Sequence, residues 1–127
     1  MKNSNKDYKV GQVWTYKTRK GEENSYLTIL KIEDYPKAGV AIHIAIDKLN
    51  IKGPRTGKFY GHTISHMPFS LTALDKSVTN IKKESSDLPR FQEGYNNWKE
   101  SFVKGDAGIF SITVAEAIEF IETTLDQ

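Results

Sequence analysis

Along residues 39–51, GVAIHIAIDKLNI, branched apolar side chains recur at every second position as Val40, Ile42, Ile44 and Ile46. An extended backbone puts all four on one face, and that face must be buried. The opposite face carries Ala41, His43, Ala45 and Asp47. Two small and two polar residues suit a surface that is half covered or closely approached by another element. Beyond Asp47 the apolar positions change parity to Leu49 and Ile51, which one extra residue near Asp47 and Lys48 would explain as a β-bulge. The pattern predicts a long, bent central strand.

Upstream, residues 10–19 (VGQVWTYKTR) place Trp14, Tyr16 and Thr18 on one side and Val13, Thr15 and Lys17 on the other, with the aromatic and β-branched content of a strand. Lys20 and Gly21 supply a turn, Glu22, Glu23 and Asn24 a polar loop, and residues 25–33 (SYLTILKIE) return as a second strand. Pro36 and Gly39 mark another tight connection, so the central strand is the third of an antiparallel meander. Residues 52–58 (KGPRTGK) read as an exposed loop holding Lys52, Arg55 and Lys58, and residues 59–65 as a shorter fourth strand weakened by Gly61.

The helical signals come later. Ser70 is a suitable N-cap, Phe69 can staple onto Leu74, and Leu71, Leu74, Val78 and Ile81 follow at helical spacing, predicting a helix over 71–83. Ser85, Ser86 and Asp87 break it, and Pro89 is tolerated in the first turn of a second helix. Its stripe of Leu88, Phe91, Tyr95, Trp98 and Phe102 ends before a C-terminal Gly105, so the two helices form a hairpin. Large rings at such positions are core by default. Gly94, inside this helix at a cost of about 1 kcal/mol relative to Ala, implies close packing or a kink. Residues 108–113 (GIFSIT) resemble a short fifth strand. A capping box of Thr113 and Glu116 opens the last helix, whose apolar face is Val114, Ala117, Ile118, Ile121 and Leu125. Glu116, Glu119 and Glu122 form an acidic stripe that is either solvated or docked on something basic. The expected fold is α+β: an antiparallel meander of four to five strands, with the helical hairpin and the C-terminal helix packed on one face. Residues 1–9 are expected to be a flexible tail and 10–127 a single domain.

Composition removes several kinds of chemistry. Cysteine is absent from the 127 residues, which excludes disulfides, thiolate nucleophiles and Cys-ligated metal. No stretch approaches the length of an apolar membrane span, and residues 1–10 lack the apolar run of a leader, so a soluble, cytoplasmic protein is expected. A net charge of +2 argues against a dedicated nucleic-acid binder. The charge is unevenly distributed: residues 1–83 hold 15 basic and 7 acidic side chains, a net of +8, and residues 84–127 hold 3 and 9, a net of −6. Either the halves pack together and cancel, or a basic sheet face stands open to an acidic partner.

GQVWTYKTR, GEE, SYLTILKIE, HMPFS and EGYNNWKE together resemble a family of small stand-alone bacterial proteins of uncharacterised function. The resemblance implies a bacterial origin and a complete single domain, and brings no catalytic residue or ligand with it.

The three histidines are His43, His62 and His66. Gly61 and Pro68 argue that His62 and His66 lie on extended chain, where four residues span about 13 Å and cannot share one ion, so no metal and no cofactor is expected. No H-E-x-x-H, P-loop, G-x-S-x-G or G-x-G-x-x-G occurs. Two functions follow from what is left. The first is a non-catalytic domain that binds a protein partner in the manner of an immunity or inhibitor protein, with Arg55, Lys58, Lys52 and His43 as binding residues. The alternative is a metal-free hydrolase or nuclease in which His66 or His62 works with Glu22 or Glu23 and an anion-binding Arg19 or Arg55. A small-molecule binding module is the remaining option.

Overall fold

The computed structural model describes residues 6–126. Its elements, in order, are β1 (Gln12–Tyr16), β2 (Tyr26–Tyr35), β3 (Gly39–Asp47), β4 (Ile51–Lys52), β5 (Phe59–Gly61), β6 (Ile64–Ser70), α1 (Leu71–Ser77), β7 (Val78–Glu84), α2 (Gln92–Val103) and α3 (Val114–Thr123). Five strands form one antiparallel sheet in the order β6-β3-β2-β1-β7, while β4 and β5 form a separate two-stranded hairpin. The α+β class and the central meander are as the alternation of β1, β2 and β3 predicts. None of the described helices is long and apolar enough to cross a membrane.

The central strand does bury Ile42, Ile44 and Ile46, each at most 1 % exposed. They join Trp14, Tyr16, Leu27, Ile29, Met67 and Phe69 beneath Ala73 and Leu74 of α1 and Val114, Ala117 and Ile118 of α3. The parity change after Asp47 has a different cause from the bulge expected there. The strand ends at Asp47, Lys48 takes a left-handed conformation (φ 60°), and the turned chain brings Leu49 and Ile51 back into the core. Register shifts lie elsewhere: in β2, Ile29 faces Ile44 and Lys31 faces His43, leaving Leu30 as the extra residue, and the β3–β6 and β1–β7 pairings shift as well.

Three expectations need correction. The helix predicted over 71–83 stops at Ser77, and residues 78–84 continue as β7, which pairs with the open edge of β1. Val78, Thr79 and Ile81 are strand formers, and the hydrogen bonds that β1 offers outweigh their weak helical spacing. Ser70 nonetheless caps α1 as predicted, accepting from the Ala73 N–H at 3.1 Å. With β7 intervening there is no helical hairpin, and the helices occupy both faces: α1 and α3 cover the Ile42–Ile44–Ile46 side, whereas the α2 aromatics meet His43 and His66 on the other. Residues 108–113 form no strand of the sheet. A single parallel bridge between Phe69 and Phe110 secures them to β6.

Of residues 1–9, the first five lie outside the described residues; Tyr8 is docked, its ring tilted against Trp14 with centroids 5.5 Å apart and its hydroxyl donating to Asp75 at 2.6 Å. Thr113 and Glu116 form the expected capping box at the start of α3. Gly94 is where α2 touches the sheet: a Cβ there would lie 3.2 Å from the His66 Cβ and 3.5 Å from the Ser65 hydroxyl. Gly94→Ala is therefore expected to destabilise the protein by about 1 kcal/mol in urea unfolding, the crowding against β6 outweighing the better helix propensity of Ala. An Ala variant at least as stable as wild type would show that β6 yields freely.

Candidate functional site

Beneath α2, the second face of the sheet holds a polar cluster in otherwise aromatic surroundings. The Leu30 bulge turns Glu33 and Tyr35 of β2 to the same side as His43 of β3, and His66 of β6 lies beside His43. Glu33 accepts three hydrogen bonds, from Tyr35 Oη to Oε1 at 2.5 Å, His43 Nε2 to Oε1 at 2.9 Å and Tyr95 Oη to Oε2 at 2.7 Å, and Lys99 Nζ stands 3.6 Å from Oε2 as an ion pair. Lys99 also donates to Tyr35 Oη at 2.7 Å. His43 is fully buried and its Nδ1 lies 2.8 Å from His66 Nε2, the two rings stacked with centroids 5.0 Å apart. Tyr95 and Trp98 meet His43 edge-on. No buried side-chain nitrogen or oxygen among the described residues is without a partner.

An ionised Glu33 fixes the protons of this chain. A carboxylate only accepts, so His43 Nε2 carries hydrogen; a neutral His43 then accepts at Nδ1, and His66 must donate from Nε2. Burial pushes the Glu33 carboxyl up, but hydrogen bonds from Tyr35, Tyr95 and His43 and the Lys99 charge together hold it down at about 2. Burial lowers His43, against the pull of Glu33 and with Lys31 and Lys99 reinforcing it. Burial and the neighbouring His43 lower His66 to about 4. Burial and the Glu33 charge raise Tyr95 and Tyr35 to about 12. The cluster is thus a neutral imidazole pair backed by a carboxylate.

Of the residues expected to form a hydrolase, Arg19 and Glu22 are brought together as an ion pair, while His62 and His66 have other partners. Arg19 makes a two-pronged bond with Glu22, both contacts 2.7 Å, and a second one with Glu122 of α3 at 2.7 and 3.2 Å. Glu22 is itself buried and accepts from the Asn50 N–H. The hydrogen bond to Glu22 raises the Arg19 guanidinium further, with Glu122 adding to it against burial, so this is a fixed ion cluster tying α3 to the β1–β2 connection. Glu23 accepts from the Gly21 N–H in the turn. His62 faces the Leu49 carbonyl at 2.8 Å and packs on Phe59. His66 alone of the set belongs to the Glu33–His43 cluster.

Of the residues expected to bind a partner, His43 is sealed under α2. Lys52, Arg55 and Lys58 lie on the β4–β5 hairpin and its loop, where Phe59 and Tyr60 are exposed, at 47 % and 41 %. Lys58 sits over the Tyr60 ring. Asp126 anchors this hairpin, accepting from Thr56 N at 2.9 Å, Thr56 Oγ1 at 2.8 Å and Tyr60 Oη at 2.7 Å. The Thr56 N–H, with Tyr60 and Thr56 Oγ1, holds the Asp126 carboxyl down at about 2. Gly53 leaves room for that carboxylate, which a Cβ there would overlap. Part of the charge asymmetry cancels inside the molecule, through Arg19 with Glu119 and Glu122 and through the bonds of residues 55–60 to Asp126.

Where the second face is not covered by α2, a cavity of about 310 Å³ opens over Val13, Thr28 and Ala45, walled by Tyr26, Lys83 and Leu88. This is the half-covered surface that the small residues of β3 imply. Among the described residues no group of three or more His, Asp or Glu side chains is placed to hold a metal ion. Comparison with known family models, curated proteins and solved structures finds no match, so the site rests on its own geometry.

Sequence reasoning missed Glu33, Tyr35, Tyr95 and Lys99 as members of one cluster. A signal existed in His43, a polar residue on the face of β3 opposite the core, and in the tyrosine and tryptophan within the α2 stripe. What joined them was the Leu30 bulge, which no residue pattern announces.

Proposed function

We propose that this protein is a non-catalytic binding domain that holds a protein partner in the manner of an immunity or inhibitor protein. The observation that carries this reading is the β4–β5 hairpin, which presents exposed Phe59 and Tyr60 beside Arg55 and Lys58 on a backbone anchored by Asp126. Aromatic and arginine side chains dominate the energetics of protein interfaces, and an anchored loop loses less entropy when it docks. The cations select an acidic partner surface and steer its approach.

Reversing the charges in Arg55→Glu/Lys58→Glu should leave folding intact, slow association with a purified partner roughly tenfold and flatten its salt dependence. The partner is first recovered by pulldown from the native host with wild type and then titrated against both proteins. Unchanged association kinetics would remove the hairpin from the interface.

One feature favours the second reading, a metal-free acid–base enzyme: the Glu33–His43–His66 chain has the carboxylate–imidazole order by which a general base is oriented. An RNA-cleavage assay of wild type beside His66→Ala separates the two. Cleavage that depends on His66 would promote the enzyme; no cleavage with partner binding retained would support the binding domain.

A further inference from the structure

We propose that the stacked His43–His66 pair is a proton-operated latch that holds α2 on the sheet and releases it when the pair takes up protons. The geometry limits how much charge the closed state can accept. With Glu33 ionised and both rings neutral, each hydrogen bond in the chain has one donor and one acceptor, and the imidazole lone pair left over is His66 Nδ1. A first proton placed there keeps every bond but leaves a cation between the sheet and the rings of Tyr95 and Trp98. A second has only His43 Nδ1 to occupy, where it would face the His66 Nε2–H across 2.8 Å and break the contact joining the rings.

The surroundings compensate little of this charge. From β2 the pair meets Lys31 and Glu33, with Tyr35 on the carboxylate; from α2 it meets Tyr95, Trp98 and Lys99. Arg90 and Glu93 line the adjacent cavity beside Ser65 and Gly94. Among the described residues Glu33 is the one anion paired with the imidazoles, and it is already shared with Lys99. Lifting α2 hydrates both rings and lets them charge.

α2 is also the element that can lift. Its residues stand outside the main core cluster, and Tyr95 is its one buried residue. Its bonds to the strands beneath run through the same polar cluster, by Tyr95 to Glu33 and Lys99 to Tyr35. Segments with few buried apolar contacts open at lower free energy than the sheet they cover. The sign follows from linkage. A histidine whose folded pKa is depressed, as burial depresses His66 to about 4, contributes stability that is complete above its unfolded value of about 6.5 and lost as pH falls toward the folded value. The latch therefore opens between about pH 6.5 and 4, ahead of the acid range in which Glu33 itself titrates.

Hydrogen exchange of the full chain, read by mass spectrometry at pH 7 and pH 4.5 and corrected for intrinsic rates, tests this. Protection of residues 92–103 should fall at least tenfold at the lower pH while that of residues 39–47 holds, since each pH unit below the unfolded pKa favours the open state by up to tenfold per group. His66→Gln keeps an N–H donor for His43 but cannot take a proton, and it should reduce the difference to the part that His43 alone supplies. Corrected α2 protection that is independent of pH in wild type, or an equal pH effect in His66→Gln, would overturn the proposal. If His66→Gln does not fold, nitrogen NMR of the wild-type imidazoles decides instead: His66 protonated on Nε2 at pH 7 and titrating well below 6.5 supports the latch, and His66 titrating at its ordinary value refutes it.

Discussion

Ile44→Asp is expected to yield no soluble folded protein. Ile44 is wholly inaccessible, paired across the sheet with Ile29 on one side and Met67 on the other. A carboxylate there meets apolar side chains and no donor. The group can escape ionisation only by protonating, and holding an aspartic acid neutral at pH 7, about three units above its ordinary pKa, costs about 4 kcal/mol by itself. The lost burial and imperfect packing of the smaller side chain add about 3 kcal/mol. Together these match the whole stability of an ordinary domain, about 5–15 kcal/mol. Ile44→Val, which removes one methylene, should cost only about 1 kcal/mol and remain folded, so the pair separates charge from volume. Soluble yield and circular dichroism of the two proteins make the comparison; a cooperatively folded Ile44→Asp protein would mean that this face of β3 is not the core.

The second large effect is expected from Glu33→Gln, which nearly preserves shape while removing the charge. Tyr35, Tyr95 and His43 all donate to the Glu33 carboxylate. A glutamine amide offers one accepting oxygen, so its NH2 must oppose a donor now satisfied by Oε1 or Oε2. Hydrogen bonds to a charged group contribute about 1.5–3 kcal/mol each, and Glu33 is partly exposed, so a loss of about 3 kcal/mol in urea unfolding is the expected net. The pH profile carries the signature of the charge. Because the folded carboxyl sits near 2 and the unfolded one near 4.5, Glu33 contributes stability that is present above 4.5 and lost as pH falls toward 2. That part of the melting curve should flatten in Glu33→Gln. A variant with wild-type stability and an unaltered acid limb would show that the carboxylate is merely solvated.

The residues that were legible from the sequence are those whose signal is local or strictly periodic. Val40 to Ile46 alternate cleanly, and Ser70, Thr113 and Gly105 mark helix ends through chemistry confined to one turn. Val78 and Ile81 show where periodicity misleads: they continue the helical spacing of Leu71 and Leu74, yet belong to a strand because β1 has an edge to fill. The β-branched Val78, Thr79 and Ile81 are a weak local hint of strand, and the open edge of β1, which lies outside residues 71–84, decides it. The cluster under α2 was half legible. His43 and the α2 aromatics carry local signals, but they meet only because α2 crosses to the far face, and Glu33 and Tyr35 join them only through the Leu30 bulge. The acidic stripe of α3 resolves differently at each member, with Glu122 on Arg19 and Glu116 closing its own helix cap.

β1 receives its two sheet neighbours at unequal cost in chain entropy. β2 returns to it through residues 17–25, whereas β7 must be brought back from beyond residue 77, a closure dearer by roughly 1.5–2 kcal/mol. The β1–β2–β3 meander is consequently the cheaper part of the sheet to close, and wherever it forms before β7 docks one side of β1 has bare N–H and C=O groups. Such an edge is a template for pairing with another unfinished chain. The strand that finally covers it carries Lys82 and Lys83 on its exposed surface, so the hazard of strand exchange between molecules is concentrated in the interval before β7 docks.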